Sequence, residues 1–123
     1  MKKLLLITFI SLSLISSASD AFAHAQLTDS NPVKNQIIKI LPDWIWLEFD
    51  GNLMTFGDKN PNSITIFDSK NRLVSDGKSV VGGARLSTKI KGKISAGKYQ
   101  IKYRIVSEDG HPVQGSIYFT YKP

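Results

Sequence analysis

The most constraining feature of the sequence is a run of strict alternation near its C-terminus. There Tyr99, Ile101, Tyr103 and Ile105 alternate with Lys98, Gln100, Lys102 and Arg104. Successive side chains of a β-strand point to opposite faces, so this run predicts a strand with an apolar inner face and a cationic outer face. A tyrosine that closely follows Ala96-Gly97 at the start of a late strand is also typical of the tyrosine corner of Greek-key sandwiches.

A second alternating run lies in the first half of the chain, at residues 44–49. Ile45, Leu47 and Phe49 are predicted to face inward, and the intervening residues, two of them tryptophans, to face outward.

The rest of the chain consists of short extended segments separated by turn signals. Strands are predicted near residues 24–30, where Asn31-Pro32 stops an edge strand, and near 37–41, 63–68, 73–74, 80–81, 85–90 and 116–121. Asp76-Gly77 after residues 73–74 predicts a hairpin turn. No helical periodicity of useful length appears after residue 23. These features predict an all-β sandwich of about seven strands.

Residues 1–23 have the pattern of a cleaved signal peptide. Lys2 and Lys3 precede a short apolar run over residues 4–15, and Ala21-Phe22-Ala23 forms a small-x-small cleavage site. The alternative, an uncleaved membrane anchor, is disfavoured because the apolar run falls short of the ~20 residues that span a bilayer. Removal leaves residues 24–123, which is 100 residues and enough for a single domain.

Composition excludes several classes of site. The chain has no cysteine, so disulfides and thiolate metal sites are excluded even in an oxidising compartment. The formal charge of +6 falls to +5 on loss of the signal peptide, and the cations are scattered except at Lys89 to Lys93. A nucleic-acid-binding protein usually carries a basic stripe with stacking aromatics, so nucleic acid is not an expected partner.

Candidate metal ligands are the two histidines and one carboxylate. Cleavage after Ala23 makes His24 the N-terminal residue, which can chelate a metal through its α-amine and Nδ1; an α-amine has a pKa of only ~7.7–8.0. Asp109 and His111 lie in a predicted nine-residue turn, Ser107 to Gly115. Because they are two apart, an extended backbone points both side chains the same way. The predicted site has three nitrogens and one oxygen.

This donor set is chemically suited to Cu(II), which also leads the divalent affinity order. Zn(II) accepts the same atoms if they form a tetrahedron. The absence of cysteine excludes a blue-copper centre. A methionine-rich Cu(I) site is excluded because Met54 is the only methionine after residue 23. Asp-Gly and His-Pro are also ordinary turn pairs. The coincidence of the other histidine with a predicted mature N-terminus favours the metal interpretation.

Motifs along the whole mature chain resemble those of the CopC-like periplasmic copper-resistance proteins. They are His24-Ala25-x-Leu27, Ser30-x-Pro32, Leu47-Glu48-Phe49, Ala96-Gly97-x-Tyr99 and Val106-Ser107-x-Asp109-x-His111-Pro112-Val113-x-Gly115. The resemblance implies a Greek-key sandwich, immunoglobulin-like or cupredoxin-like, with one Cu(II) at one end. It implies that His24 supplies amine and imidazole, His111 an imidazole and Asp109 a carboxylate.

The sequence departs from this family in two places. Some relatives carry a methionine-rich Cu(I) loop, which this chain lacks. Some have an acidic residue two positions after the phenylalanine of the early strand, where this chain has Gly51. A version with a single Cu(II) site is therefore expected, and the axial ligand is left open.

Three functions are open at this stage. The expected one is a monomeric periplasmic Cu(II) protein for sequestration, transport or resistance, without enzymatic turnover, whose partners are the copper ion and an inner-membrane copper transporter or another periplasmic carrier. The alternatives are a copper oxidase of the histidine-brace kind and a metal-free interaction module. About 100 residues leave little room for the broad substrate face that such an oxidase needs.

The cleavage position decides whether His24 is a ligand. Ala21-Phe22-Ala23 and Ala23-His24-Ala25 are overlapping cleavage sites. Cleavage after Ala25 would remove His24 and leave one histidine. Cleavage after Ala23 is predicted, because only that product uses both histidines and begins as the family does.

Overall fold

The computed structural model describes residues 25–123, which form eight β-strands and contain no helix. The predicted signal peptide and His24 lie outside the described residues. The strands are β1 (Leu27–Asn31), β2 (Ile37–Ile38), β3 (Ile45–Phe49), β4 (Ser63–Phe67), β5 (Val80–Gly82), β6 (Arg85–Thr88), β7 (Gly97–Val106) and β8 (Pro112–Tyr121). No helix in this range could cross a membrane.

The strands form two four-stranded sheets packed as a sandwich. The first sheet has the order β1-β3-β6-β5 and the second the order β2-β8-β7-β4. All pairs are antiparallel except β2 with β8, which is parallel. The chain passes between the sheets several times, as Greek-key connections do. The predicted β-sandwich is confirmed, with eight strands rather than about seven, and β1 is an edge strand as predicted.

The core is formed by the inward faces of both sheets. The two alternating runs behave as predicted: Ile45, Leu47 and Phe49 of β3 are buried, and so are Tyr99, Ile101 and Ile105 of β7. Each aliphatic side chain so buried contributes about 1.5–3 kcal/mol relative to exposure. The core is therefore apolar, continuous and without any cross-link.

The predicted tyrosine corner is present at the start of β7. The Tyr99 hydroxyl donates a hydrogen bond to the carbonyl of Ser95, at 2.5 Å. Its ring stacks on Phe119 with the centroids 5.5 Å apart. Burial raises the pKa of the Tyr99 hydroxyl, so it stays protonated and available as the donor.

The hairpin predicted at Asp76-Gly77 is wrong. Val74 N–H donates to Ile66 O in the second sheet, and Val74 O accepts from Lys91 N–H, both at 2.8 Å. The segment therefore continues from one sheet to the other. The buried Thr88 hydroxyl donates a hydrogen bond to the Lys78 carbonyl at 2.7 Å, which orients the turn toward β6. A turn dipeptide specifies a local bend but not the strands that it joins.

Candidate metal centre

The turn that carries Asp109 and His111 is shorter than the sequence predicts. β7 and β8 pair without interruption up to Val106 opposite Pro112, so only residues 107–111 connect them and 112–115 belong to β8. Gly110 N–H donates to Ser107 O at 2.8 Å and closes a tight turn. Gly110 has φ +82°, a conformation that glycine adopts without steric cost.

The structure brings Asp109 and His111 into direct contact. His111 Nδ1 lies 3.2 Å from Asp109 Oδ2, and the His111 N–H donates to Asp109 Oδ1 at 3.0 Å. The predicted proximity is thus observed, but its cause is different. The two residues lie in a turn and not in an extended strand, so the bend and the hydrogen bonds to the carboxylate bring the side chains together.

The Asp109 carboxylate is stabilised in its anionic form. The Ser107 hydroxyl donates to Oδ1, and with the His111 N–H it holds the pKa of the Asp109 carboxyl well below its usual range. The His111 side chain is 65% exposed and that of Asp109 is 30% exposed. An anionic oxygen and an imidazole nitrogen are therefore accessible to an ion from solution.

Hydrogen bonds from a distant loop support the base of the turn. Leu53 pairs with Ser107, and Met54 N–H donates to Val106 O at 2.8 Å. The buried Asn62 side chain joins the same elements: its Nδ2 donates to Met54 O at 2.8 Å and its Oδ1 accepts from Val106 N–H at 2.7 Å. The end of β7 is thus held in place by side-chain and backbone contacts.

The first described residues lie at the same end of the sandwich as the turn. Leu27 is paired with Phe49 at the end of β3, and the Phe49 ring contacts Tyr103 of β7 edge to face at 5.4 Å. Gln26 N–H donates to the Asp50 carboxylate at 2.8 Å, and Asp50 N–H donates back to Gln26 O at 2.9 Å. Ala25 is buried and belongs to the core. β1 therefore begins at the end where β7 turns into β8.

Two of the three predicted ligands are thus brought together, and His24 lies outside the described residues. Within residues 25–123 no group of three histidine or acidic residues is arranged to hold a metal ion. Three supporting residues were missed. The role of Ser107 was detectable, because a serine two before an aspartate in a turn commonly hydrogen-bonds locally. Asn62 and Asp50 act across 44 and 24 residues of sequence, and no local pattern predicts such contacts.

The fold and the site together define a class, small all-β sandwich domains with an oxygen and a nitrogen donor paired at one end. Within that class the chain belongs to the CopC family, since the sequence model of the CopC domain matches residues 27–122.

Similar proteins agree with this assignment. Copper resistance protein C of Xanthomonas campestris pv. juglandis is 33% identical over 120 residues, which cover 88% of this chain and 87% of that protein. Copper transport protein CutJ of Bacillus subtilis (strain 168) is 27% identical over 112 residues, which cover 89% of this chain but only 20% of that longer protein.

Solved structures with the same fold belong to the same group. The crystal structure of CopC from Methylosinus trichosporium OB3b matches with a TM-score of 0.66 and 29% identity, over 81% of this chain and 95% of that one. PcoC, a methionine-rich copper resistance protein from Escherichia coli, matches with a TM-score of 0.66 and 25% identity, over 80% of this chain and 99% of that one.

Proposed function

We propose that the mature protein is a periplasmic Cu(II)-binding protein for copper sequestration, transport or resistance. One Cu(II) is held by the α-amine and imidazole of His24, a carboxylate oxygen of Asp109 and the imidazole of His111. The observation that carries the proposal is the contact between His111 Nδ1 and Asp109 Oδ2, at 3.2 Å, at the end of the sandwich where β1 begins.

The distance between the two side chains fits a shared ion. Nitrogen and oxygen donors lie ~2.0–2.2 Å from a bound Zn²⁺, and two such donors at a right angle are about 3 Å apart. The two atoms are within hydrogen-bonding distance, so a proton carried on Nδ1 would lie between Nδ1 and Oδ2. Metal ions displace such protons, because ligands bind in their deprotonated forms. The nitrogen and oxygen donors and the top rank of Cu(II) in the affinity order favour copper.

The burial of Ala25 supports cleavage after Ala23. Ala25 packs in the core and Gln26 is hydrogen-bonded to Asp50, so both residues are integrated into the folded domain. Cleavage after Ala25 would remove a buried residue together with His24. Cleavage after Ala23 keeps Ala25 and makes His24 the first residue. His24 is then attached directly to Ala25, which lies at the same end of the sandwich as Asp109 and His111.

Holding Cu(II) without turnover is favoured over oxidase chemistry by the state of Asp109. Its carboxylate is kept anionic by Ser107 and by the His111 N–H. A hard anionic oxygen favours Cu(II) over Cu(I), whereas an oxidase has to cycle between both states. The protein is accordingly proposed to have no enzymatic activity.

The proposed partners are the copper ion and a copper transporter of the inner membrane or another periplasmic carrier. CutJ, named a copper transport protein, is a longer relative in which a region similar to this chain makes up one fifth of the length. That arrangement supports a partnership between such a domain and a transporter. The protein is proposed to act as a monomer.

Intact mass and electron paramagnetic resonance test the proposal together. Protein exported to the periplasm is expected to begin at His24 and to bind one Cu(II) per chain, with a tetragonal spectrum that shows nitrogen couplings. The matched control is the same protein with Met retained before His24, which should bind far more weakly because its terminal amine is displaced from the imidazole.

Three results would overturn the proposal. A mass that begins at Gln26 removes His24 from the site, and a spectrum without nitrogen couplings removes the proposed ligands. Copper-dependent oxygen consumption with an added reductant, sustained over many turnovers, would instead indicate an oxidase.

A further inference from the structure

The outer face of the second sheet carries an uneven distribution of charge. Alternation places the following residues of β4, β7 and β8 on this face, which we call the cationic face: Ser63, Thr65, Phe67, Lys98, Gln100, Lys102, Arg104, Gln114, Ser116, Tyr118 and Thr120. Three of them are cations and none is a carboxylate. Part of the formal charge of +5 that remains after loss of the signal peptide is thus concentrated on one surface.

The carboxylate of Asp68, which directly follows β4, does not neutralise this face. Asp68 lies near Lys98 and Tyr118 at the edge of the sheet. Its Oδ2 accepts from Arg72 Nε at 2.7 Å, and its Oδ1 accepts from the N–H groups of Lys70 and Arg72, each at 2.9 Å. The Asp68 side chain is only 11% exposed and serves its own turn.

Two of the cations are positioned by aromatic rings. Lys98 Nζ lies 4.5 Å from the centre of the Tyr118 ring, and Lys102 Nζ lies 5.1 Å from that of Phe67. A ring attracts an ammonium group but does not neutralise it, so the charge and the N–H donors stay available to a partner. Arg104 is exposed farther along the same strand.

The first sheet differs in this respect. On its outer face Arg85 lies 3.5 Å from Glu48 and 3.8 Å from the centre of the Trp46 ring, so its charge is compensated locally. Lys89, 4.4 Å from the centre of the Trp44 ring, adds one further cation on this side. The second sheet therefore has the larger excess of positive charge, and an anionic partner is attracted more strongly to that side of the sandwich. Like charges on a single face steer association more than they strengthen the final complex.

We propose that the cationic face docks a carboxylate-rich surface of a partner protein. The face is mostly polar, with serine, threonine and glutamine between the cations, and its aliphatic contribution is Ile37 of β2, which pairs with Thr120 at the edge of the sheet and is exposed. Those groups can donate hydrogen bonds to carboxylates and backbone carbonyls of a protein, and the face has no cluster of aliphatic side chains that would insert into lipid. Three strands ~4.8 Å apart and about 20 Å long make a small contact, which suits a transient complex.

The cationic face lies close to the proposed copper site, so docking there would bring a partner near the copper ion. This part of the inference rests on the proposed copper function. Arg104 lies two residues before Val106, where β7 ends and the turn with Asp109 and His111 begins. A partner on the cationic face therefore lies beside the proposed copper ligands. Docking itself requires no copper, so the two proposals fail independently.

The experiment compares two triple variants of the mature protein. Lys98→Gln, Lys102→Gln and Arg104→Gln together neutralise the cationic face; Lys59→Gln, Lys78→Gln and Lys91→Gln together remove the same charge from exposed positions outside the second sheet. Binding is measured by fluorescence anisotropy at low salt with a labelled peptide of alternating Glu and Ser, in the metal-free and Cu(II)-loaded protein. Vesicles with and without phosphatidylglycerol form a second arm.

The face variant is expected to bind the acidic peptide about tenfold more weakly or worse, while the control variant stays within about twofold of wild type. Added salt should weaken wild-type binding and abolish the difference between the variants. Equal losses in both variants would show a net-charge effect and overturn the proposal, as would no loss in either. Binding to anionic vesicles but not to the peptide would assign the face to a membrane. An unchanged Cu(II) spectrum in the face variant keeps the docking result separate from the copper site.

Discussion

The core between the sheets and the turn at residues 107–111 are built from opposite kinds of interaction. The core is buried and apolar, and residues such as Leu86 and Ile101 have no accessible surface. The turn is largely exposed and is organised by hydrogen bonds from Ser107 and His111 to one carboxylate. Burial of apolar area is non-directional, whereas hydrogen bonds and metal ligation depend on individual atoms.

This difference implies that stability and copper binding are separable. The core tolerates changes that preserve its volume, and it responds to cavities. The turn responds to the loss of a single oxygen or nitrogen. A comparison of core and turn variants in two assays, unfolding and copper binding, tests whether this separation is real.

The largest effect is expected from a cavity in the core. Ile101→Ala removes a fully buried side chain at the centre of β7 and should lower the free energy of unfolding by about 2–5 kcal/mol. Urea denaturation of the metal-free protein measures this, with Ile101→Val as the milder control at about 0.5–1.5 kcal/mol. Under conditions in which the variant is folded, its Cu(II) affinity should equal that of the wild-type protein. If the Cu(II) affinity fell together with the free energy of unfolding, stability and copper binding would not be separable.

The next effect concerns a proposed ligand. His111→Ala removes one nitrogen donor and should weaken Cu(II) binding by more than the ~10–100-fold that changes around a metal site cause. Because the side chain is 65% exposed, the free energy of unfolding should change by less than about 0.5 kcal/mol. Competition titration with a Cu(II) chelator measures affinity, and Glu108→Gln in the same turn is the matched control. Wild-type affinity in His111→Ala would remove His111 from the site.

A smaller effect is expected from Asp109→Asn. The amide preserves the shape of the side chain but removes the anionic charge, so Cu(II) affinity should fall by ~10–100-fold, less than for His111→Ala. The same titration ranks the two variants. If Asp109→Asn proves as damaging as His111→Ala, the carboxylate is an essential ligand and the proposed ranking is wrong.

The smallest effect concerns acid stability of the metal-free protein. The pKa of Asp109 is depressed in the folded state, so its anionic form stabilises the fold above the unfolded value of ~3.9, and this stabilisation is lost as the pH falls further. Ser107→Ala removes the largest cause of the depression and should make the acid-side loss of stability shallower. Melting temperatures measured from neutral pH to about pH 2 test this, with the exposed Ser116→Ala as control. Parallel curves for Ser107→Ala and wild type would contradict it.

Several features of the fold could be predicted because they are local. Inward and outward positions of β3 and β7 follow from alternation of side chains along a strand, and the bond from Tyr99 to Ser95 spans four residues. The absence of a hairpin at Asp76-Gly77 could not be predicted, because the path of this segment depends on contacts of Val74 with Ile66 and Lys91. Proximity of Asp109 to His111 was predicted for the wrong reason, since a bend rather than strand alternation produces it.

By itself the sequence determined the chemistry that this protein can offer. The absence of cysteine, the two histidines and the Asp109–His111 spacing define the donor types whatever the fold, because they are covalent facts. Only the tertiary structure decided where those donors lie. Asn62 bonds to Val106 across 44 residues, and β1 begins at the end where β7 turns. Such pairings depend on which arrangement of all strands buries the core together, and no local stretch of sequence contains that information.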